Sequence, residues 1–207
     1  MKAFFVKYRR LILLAVPLIL YMLHSITLKY LMENNRFSST KTLLDQYIPF
    51  LDFAVYGYLL WVILAAVSLF FLFSCLGDGY YRLIIAMVLS VSICIAVYIY
   101  FPVKMDIPDF GNSAFLDAVL KNRDIASFPN LPSGILFNSF FFSVFHKKKH
   151  DHSKCSLITL LFGLILAVWI VCALLSKMAY VLDVSSGIFT GMVSSLIISL
   201  IPFKQTH

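Results

Sequence analysis

Long apolar runs, separated by short stretches that hold nearly all of the charged residues, constrain this chain more than any other feature of its sequence. Hydrophobic residues make up 61% of the 207 residues and charged residues only 13%, whereas a water-soluble domain carries about 25% charged residues. A helix needs about 20 apolar residues to cross the hydrocarbon core of a bilayer. The pattern therefore predicts an all-α, polytopic integral membrane protein and excludes a water-soluble fold.

Six membrane spans are predicted, and together they form a single membrane domain over residues 1–207. The predicted spans cover about residues 11–31, 53–76, 82–101, 132–146, 156–175 and 181–203. Turn and helix-stop residues separate them, such as Gly77-Asp78-Gly79 before the third span and Pro102 after it. The fourth span is short, and its Ser and Asn side chains are expected to face the interior of the bundle.

The positions of the basic residues predict how the chain crosses the membrane. Lys and Arg collect in the N-terminus, around the Gly77 turn, in the 146–154 loop and at the C-terminus, whereas the 101–131 loop is nearly balanced in charge. Because Lys and Arg in short loops stay cytoplasmic, both termini are predicted to be cytoplasmic and the 101–131 loop to face outward. The net charge of +7 then comes from basic residues at the ends of the predicted helices, and no nucleic-acid partner is predicted.

Neither the cysteines nor the histidines form a recognisable metal motif. The cysteines Cys75, Cys94, Cys155 and Cys172 match no zinc spacing and no CxxC pattern, which favours buried free thiols. The histidines of the 146–154 loop alternate with lysines, as is typical of a solvated loop that touches anionic lipid headgroups. No metal and no cofactor are predicted.

Asp183, a charged residue about three residues into the sixth span, is the sharpest functional clue, because charges inside membrane helices are expensive. Asp183, Gly187, Gly191 and Ser195 recur at four-residue intervals and therefore share one helix face. Small residues at this spacing favour close packing of helices. Asp183 itself is either an acid in the first helical turn, stabilised by the helix dipole, or a site residue.

Three stretches of the sequence correspond to the motifs of one membrane-enzyme family: residues 100–108, Pro132-Ser133-Gly134-Ile135, and residues 172–183. Over these stretches, from about residue 45 to the end, the chain resembles the type 2 phosphatidic acid phosphatase superfamily. The family's signature is Lys-x6-Arg-Pro, Pro-Ser-Gly-His and Ser-Arg-x5-His-x3-Asp. The resemblance implies a six-helix bundle in a bacterial plasma membrane that removes phosphate from lipid phosphates or transfers phosphate-linked groups between lipids.

The resemblance fails at the residues that would carry the chemistry. The family's Lys, Arg, second-motif His, Ser, Arg and third-motif His are replaced here by Tyr100, Ile107, Ile135, Cys172, Ala173 and Ala179. By the mechanism that the resemblance implies, the third-motif His attacks phosphorus, an Asp at position 183 orients it, and the second-motif His protonates the leaving oxygen. Alkyl side chains offer neither a nucleophile nor an acid. A catalytically degenerate family member, with Asp183 as the remnant of the site, is predicted.

The expected function is the binding of a phosphorylated lipid or of a membrane protein partner without phosphatase turnover. The predicted ligand-binding residues are Ser133, Gly134, Lys104, Lys177 and Asp183. The lysines either bind a phosphate headgroup or are ordinary interfacial residues, and the N–H groups at the start of the fourth helix are a natural anion site. Two alternatives stay open: an active lipid phosphatase or phosphotransferase with non-standard residues, and a structural subunit whose partner packs on the Gly187/Gly191 face.

Overall fold

The computed structural model describes residues 38–60, 79–103, 128–145 and 152–202, together with seven helical positions between 16 and 30 and seven between 63 and 76. Within these residues every regular element is an α-helix, and one isolated β-bridge joins Ser38 to Val103. The predicted all-α class is therefore confirmed for the part of the chain that is described. The predicted turn at Gly77-Asp78 and most of the 101–131 loop lie outside the described residues.

The helices with complete bounds are α1 (Leu43–Tyr47), α2 (Ala54–Leu59), α3 (Gly79–Tyr100), α4 (Leu131–Phe145), α5 (His152–Leu175) and α6 (Val181–Leu200). Three of them are long and apolar enough to cross a membrane, namely α3, the Ser156–Leu175 part of α5, and α6. The last four helices match predicted spans to within a few residues. The described positions in the first two predicted spans are helical, but the full extent of those spans lies outside the description.

Helices α3 to α6 alternate in direction, so the end of α3, the start of α4, the end of α5 and the start of α6 lie at the same end of the structure. At one end, which we call the Asp183 end, the Asn130 N–H before α4 donates to the Asp183 carbonyl at 3.0 Å. At the opposite end, Arg82 donates to the Ser199 carbonyl in the last turn of α6 at 3.1 Å. A cation is favourable there because the C-terminus of a helix carries partial negative charge.

Helix α4 occupies the centre, and α5 lies at the periphery. Ten of the fifteen α4 residues are buried, and α4 packs against α3, α5 and α6. Helix α5 instead turns one apolar side outward, where side chains between 48% and 63% exposed recur at helical spacing: Leu157, Leu160, Leu161, Leu164, Val168 and Val171. A stripe of this kind is typical of a helix face that contacts lipid. Because α4 is mostly buried, its polar side chains must find hydrogen-bond partners within the protein.

Candidate functional site

Two buried carboxylates meet at the start of α6. Asp183 accepts hydrogen bonds from the Tyr180 N–H at 3.0 Å and from the Thr40 hydroxyl at 2.5 Å, and it is fully buried. Asp45, which belongs to α1, accepts from the Val181 N–H at 2.9 Å. The first N–H groups of a helix have no partner within the helix, and its N-terminus carries partial positive charge. The two acids therefore satisfy and neutralise the beginning of α6.

Asp45 is held in position by its own helix. Its second carboxylate oxygen accepts from the Thr42 N–H at 2.7 Å and from the Thr42 hydroxyl at 2.6 Å. Burial raises the pKa of the Asp45 carboxyl, but the hydrogen bonds from Thr42 and Val181 and the charge of Lys177 outweigh it and leave this pKa below its ordinary value of 3.8. Asp45 is therefore a charged residue with hydrogen bonds to both of its carboxylate oxygens, and it joins α1 to α6.

Lys177 ends α5 and contacts α1. The Met178 N–H donates to the Ala173 carbonyl and the Lys177 N–H to the Leu174 carbonyl, both at 3.2 Å, which is the hydrogen-bond pattern of a Schellman motif. Lys177 occupies the left-handed position of that motif, with φ of 53°, where glycine is usual. Its ammonium group donates to the Asp45 carbonyl oxygen at 2.5 Å. The side chain thus ties α1 to the turn between α5 and α6.

The start of α4 uses its polar groups internally. The Asn130 side-chain oxygen accepts from the Ser133 N–H at 3.1 Å, as a residue that caps a helix does. The Ser133 hydroxyl donates to the carbonyls of Asn130 at 2.8 Å and Val184 at 3.2 Å, and Ser133 is fully buried. The Gly134 N–H donates to the Asn130 carbonyl at 3.3 Å. The N–H groups of Ser133 and Gly134, near the expected anion site, are therefore already bonded within α4.

The glycines of α6 lie directly against α4. A Cβ atom added at Gly187 would lie 2.1 Å from both the Asn130 carbonyl oxygen and Ser133 Oγ, and one added at Gly191 would lie 2.6 Å from the Gly134 carbonyl oxygen. The predicted close packing is confirmed, and its partner is α4 of the same chain. The alternative that placed an external partner on the Gly187/Gly191 face is wrong on this point, because α4 covers that face.

A second polar group lies deeper, where α3, α4 and α6 meet. Asn138 donates to Ser90 Oγ at 2.8 Å, and its carbonyl oxygen accepts from Ser195 at 2.7 Å and from Ser194 at 3.2 Å. The hydroxyls of Ser90 and Ser194 lie 2.5 Å apart, and all four residues are fully buried. Hydrogen bonds between membrane helices are one of the forces that associate them. The expectation that Asn and Ser of the fourth span face the interior is confirmed.

The structure brings four of the five predicted site residues to the Asp183 end. Ser133, Gly134, Lys177 and Asp183 all lie there, whereas Lys104 is outside the described residues, as is Ile107. Ala179, one of the two residues expected to replace histidines, is buried, and Ile135, the other, is half-buried. The Asp183 carboxylate contacts Thr40 and Tyr180. The site is thus an interlocked set of polar contacts between α1, the start of α4 and the start of α6.

Three residues of this set were missed by sequence reasoning: Thr40, Asp45 and Asn130. Thr42 and Asp45 have the three-residue spacing of a helix start, and Asn130 precedes Pro132 in the way that a capping residue precedes a first-turn proline. Both signals were present in the sequence. Thr40 has no such signal, because its partner Asp183 is 143 residues away in the chain.

Comparison with known proteins identifies no relative: the chain matches no family model, no curated protein and no solved structure.

Proposed function

We propose that this protein is a catalytically degenerate member of the type 2 phosphatidic acid phosphatase superfamily. It is a six-helix bundle of the bacterial plasma membrane with cytoplasmic termini, and it binds a phosphorylated lipid or a membrane partner without phosphatase turnover. The observation that most supports the absence of turnover is that Asp183 is hydrogen-bonded to Thr40 and Tyr180, while a buried Ala179 occupies the position of the expected nucleophile. Covalent phosphoryl transfer requires a nucleophile with a base or orienting group beside it, and an alanine methyl supplies none.

Binding of an anionic headgroup draws its support from the cation at the same end. The Lys177 ammonium has three N–H donors, and one of them reaches the Asp45 carbonyl oxygen. An ammonium at the end of a membrane span suits a phosphate oxygen, and Lys104 is the second cation expected from the sequence. In this proposal the lysines hold the headgroup, while Ser133 and Asp183 hold the starts of α4 and α6 together.

Phosphate release is the first test of this proposal. The purified protein is incubated with phosphatidic acid in mixed micelles, and inorganic phosphate is measured over time for the parent chain and for Asp183→Asn. The proposal expects the same background release from both. Release by the parent chain that is lost in Asp183→Asn would instead establish the alternative of an active phosphatase with non-standard residues.

Lipid retention is the second test, and it separates the two kinds of ligand. Native mass spectrometry of the protein from micelles that contain phosphatidic acid and phosphatidylcholine in equal amounts measures which lipid stays bound. Preferential retention of phosphatidic acid by the parent chain, lost in Lys177→Gln and kept in Lys41→Gln, supports headgroup binding. Lys41 is the control because it is an exposed lysine that directly precedes Thr42. Equal retention of both lipids by all three proteins would exclude the headgroup and leave the membrane partner.

A structural subunit is the second candidate function. Only 22% of the 18-residue apolar segment of α5 is buried, compared with 44% in α3 and in α6, so α5 would offer the most apolar surface to a protein partner that takes the place of lipid. Purification in a mild detergent tests this candidate. A stoichiometric protein partner that is lost on Leu164→Asn, with the chain still folded, would support it; recovery of the chain alone would count against it.

A further inference from the structure

Helix α1 has the inverse of the pattern expected for a helix in water. Its apolar side chains Leu43, Leu44 and Tyr47 are 74%, 62% and 85% exposed, whereas its acidic residue Asp45 is only 3% exposed. Successive residues of a helix are about 100° apart, so Leu43, Tyr47 and Leu44 share an arc of about 100°, with Asp45 on the opposite side and Gln46 about 60° outside the arc. The apolar face therefore points away from the protein, and the acid points into it.

The position of α1 explains what covers this face. Asp45 bonds to Val181, the first residue of the α6 span, so α1 lies at the end of a membrane-spanning helix. Other exposed aromatic residues collect at the same end: Tyr100, the last residue of α3, is 88% exposed, and Phe53, just before α2, is 68% exposed. Rings of Tyr and Trp mark the depth at which hydrocarbon gives way to headgroups. The apolar face of α1 lies at that depth.

Exposed apolar side chains also follow on α2, which lies at the same end because the Leu51 N–H donates to the carbonyl of Leu175. Tyr56 is 51% exposed and Leu60 is 48% exposed, and both follow Phe53 along the chain at helical spacing. These residues lie in the second predicted span, where an outward apolar face contacts lipid, so lipid is the neighbour expected for the exposed face of α1 as well.

We propose that Leu43, Leu44 and Tyr47 form an interfacial anchor that inserts between the lipid headgroups and the upper acyl chains of the bilayer. The anchor binds the membrane in the way that an amphipathic helix lying in the interface does, with its apolar face toward the acyl chains. Its inner face holds α6, because Asp45 accepts from the Val181 N–H and the Lys177 ammonium donates to the Asp45 carbonyl oxygen. Helix α1 thus contacts lipid on one side and the start of α6 on the other. This inference is independent of the proposed function.

Photocrosslinking in a bilayer tests the anchor directly. Tyr47, Gln46 and Phe189 are replaced one at a time by p-benzoyl-phenylalanine, and the full chain is placed in nanodiscs of phosphatidylcholine and phosphatidylglycerol. Phe189 is 61% exposed on the membrane-spanning helix α6 and is the positive control. Gln46 is the matched control, because it is exposed but lies outside the apolar arc, about 100° around α1 from Tyr47. After irradiation, intact-mass spectrometry measures the fraction of protein that carries one added lipid mass.

The anchor predicts a lipid adduct at position 47 comparable to that at position 189 and several-fold larger than that at position 46. A position 47 that gives no more adduct than position 46, while position 189 crosslinks, would overturn the proposal. A crosslink from position 47 to a second copy of the chain would overturn it as well, because protein would then cover the face. The same substitution at Leu44 repeats the test if the Tyr47 variant fails to fold, as judged by its circular dichroism spectrum.

Discussion

Replacement of Gly187 by alanine is expected to destabilise the protein strongly, although alanine is the better helix former. The added Cβ would lie 2.1 Å from the Asn130 carbonyl oxygen and from Ser133 Oγ, and ordinary van der Waals contact begins at 3.4 Å, so the start of α4 must move by about 1.3 Å. Overpacking of this kind costs about 1–3 kcal/mol. Displacement of Ser133 also weakens the hydrogen bond that its single hydroxyl proton shares between two carbonyl oxygens, worth about 1 kcal/mol, and the gain in helix propensity returns about 1 kcal/mol. The net expectation is a loss of about 1–3 kcal/mol.

Gly163→Ala is the matched control for this substitution. Gly163 also lies inside a long apolar helix, but its added Cβ would meet only the edge of the Phe140 ring, at 3.2 Å, and a side chain can yield where a backbone carbonyl cannot. The free energy of unfolding is measured by titration of dodecyl sulfate into detergent micelles, followed by circular dichroism. Gly163→Ala is expected to match the parent to within about 1 kcal/mol. If Gly187→Ala proves as stable as Gly163→Ala, the close approach of α4 and α6 is refuted.

Three further outcomes are expected. Asp45→Asn should remove an acid-sensitive part of the stability: the folded pKa of Asp45 lies below 3.8, so its contribution is complete well above that pH and is lost as the pH falls through the lower folded value. Unfolding curves at neutral and acid pH should therefore differ between parent and variant near neutrality and converge in acid. Lys177→Gly should be more stable than Lys177→Met by about 1 kcal/mol, because both lose the bond to Asp45 but only methionine keeps the left-handed strain; equal melting temperatures would contradict this. Asn138→Leu should lower the free energy of unfolding by about 1–3 kcal/mol, because it leaves buried serine hydroxyls without their acceptor, and an unchanged titration midpoint would argue against the buried cluster.

The bounds of the last four helices could be predicted because hydrophobic length is a local property of the sequence. The α6 span begins at Val181 in both the prediction and the structure, and α4 begins at Leu131, one residue before the predicted start. The packing of Gly187 and Gly191 was also predictable, since small residues every fourth position have one dominant physical use in membrane helices.

The identity of the partners could not be read from the sequence in the same way. Thr40 and Asp183 are 143 residues apart in the chain, and no feature of the sequence around either residue indicates that the two are in contact. The role of Asp45 was hidden for a different reason. The sequence around Asp45 contains no apolar run long enough to be predicted as a span, and its acid turns inward because the N-terminus of α6 offers an N–H group there.

The buried amide of Asn138 also bears on how the chain enters the membrane during its synthesis. Helix α4 is 15 residues long, or about 22 Å at 1.5 Å per residue, which is less than the hydrocarbon thickness of about 30 Å. Its amide emerges from the ribosome 56 residues before Ser194, one of the hydroxyls that it finally meets. Among the partners that the structure describes for this amide, Ser90 of the already synthesised α3 is the one available until then. The hydrogen bond to Ser90 can therefore form between the nascent α3 and α4, whereas the bonds to Ser194 and Ser195 can form only once α6 has been made.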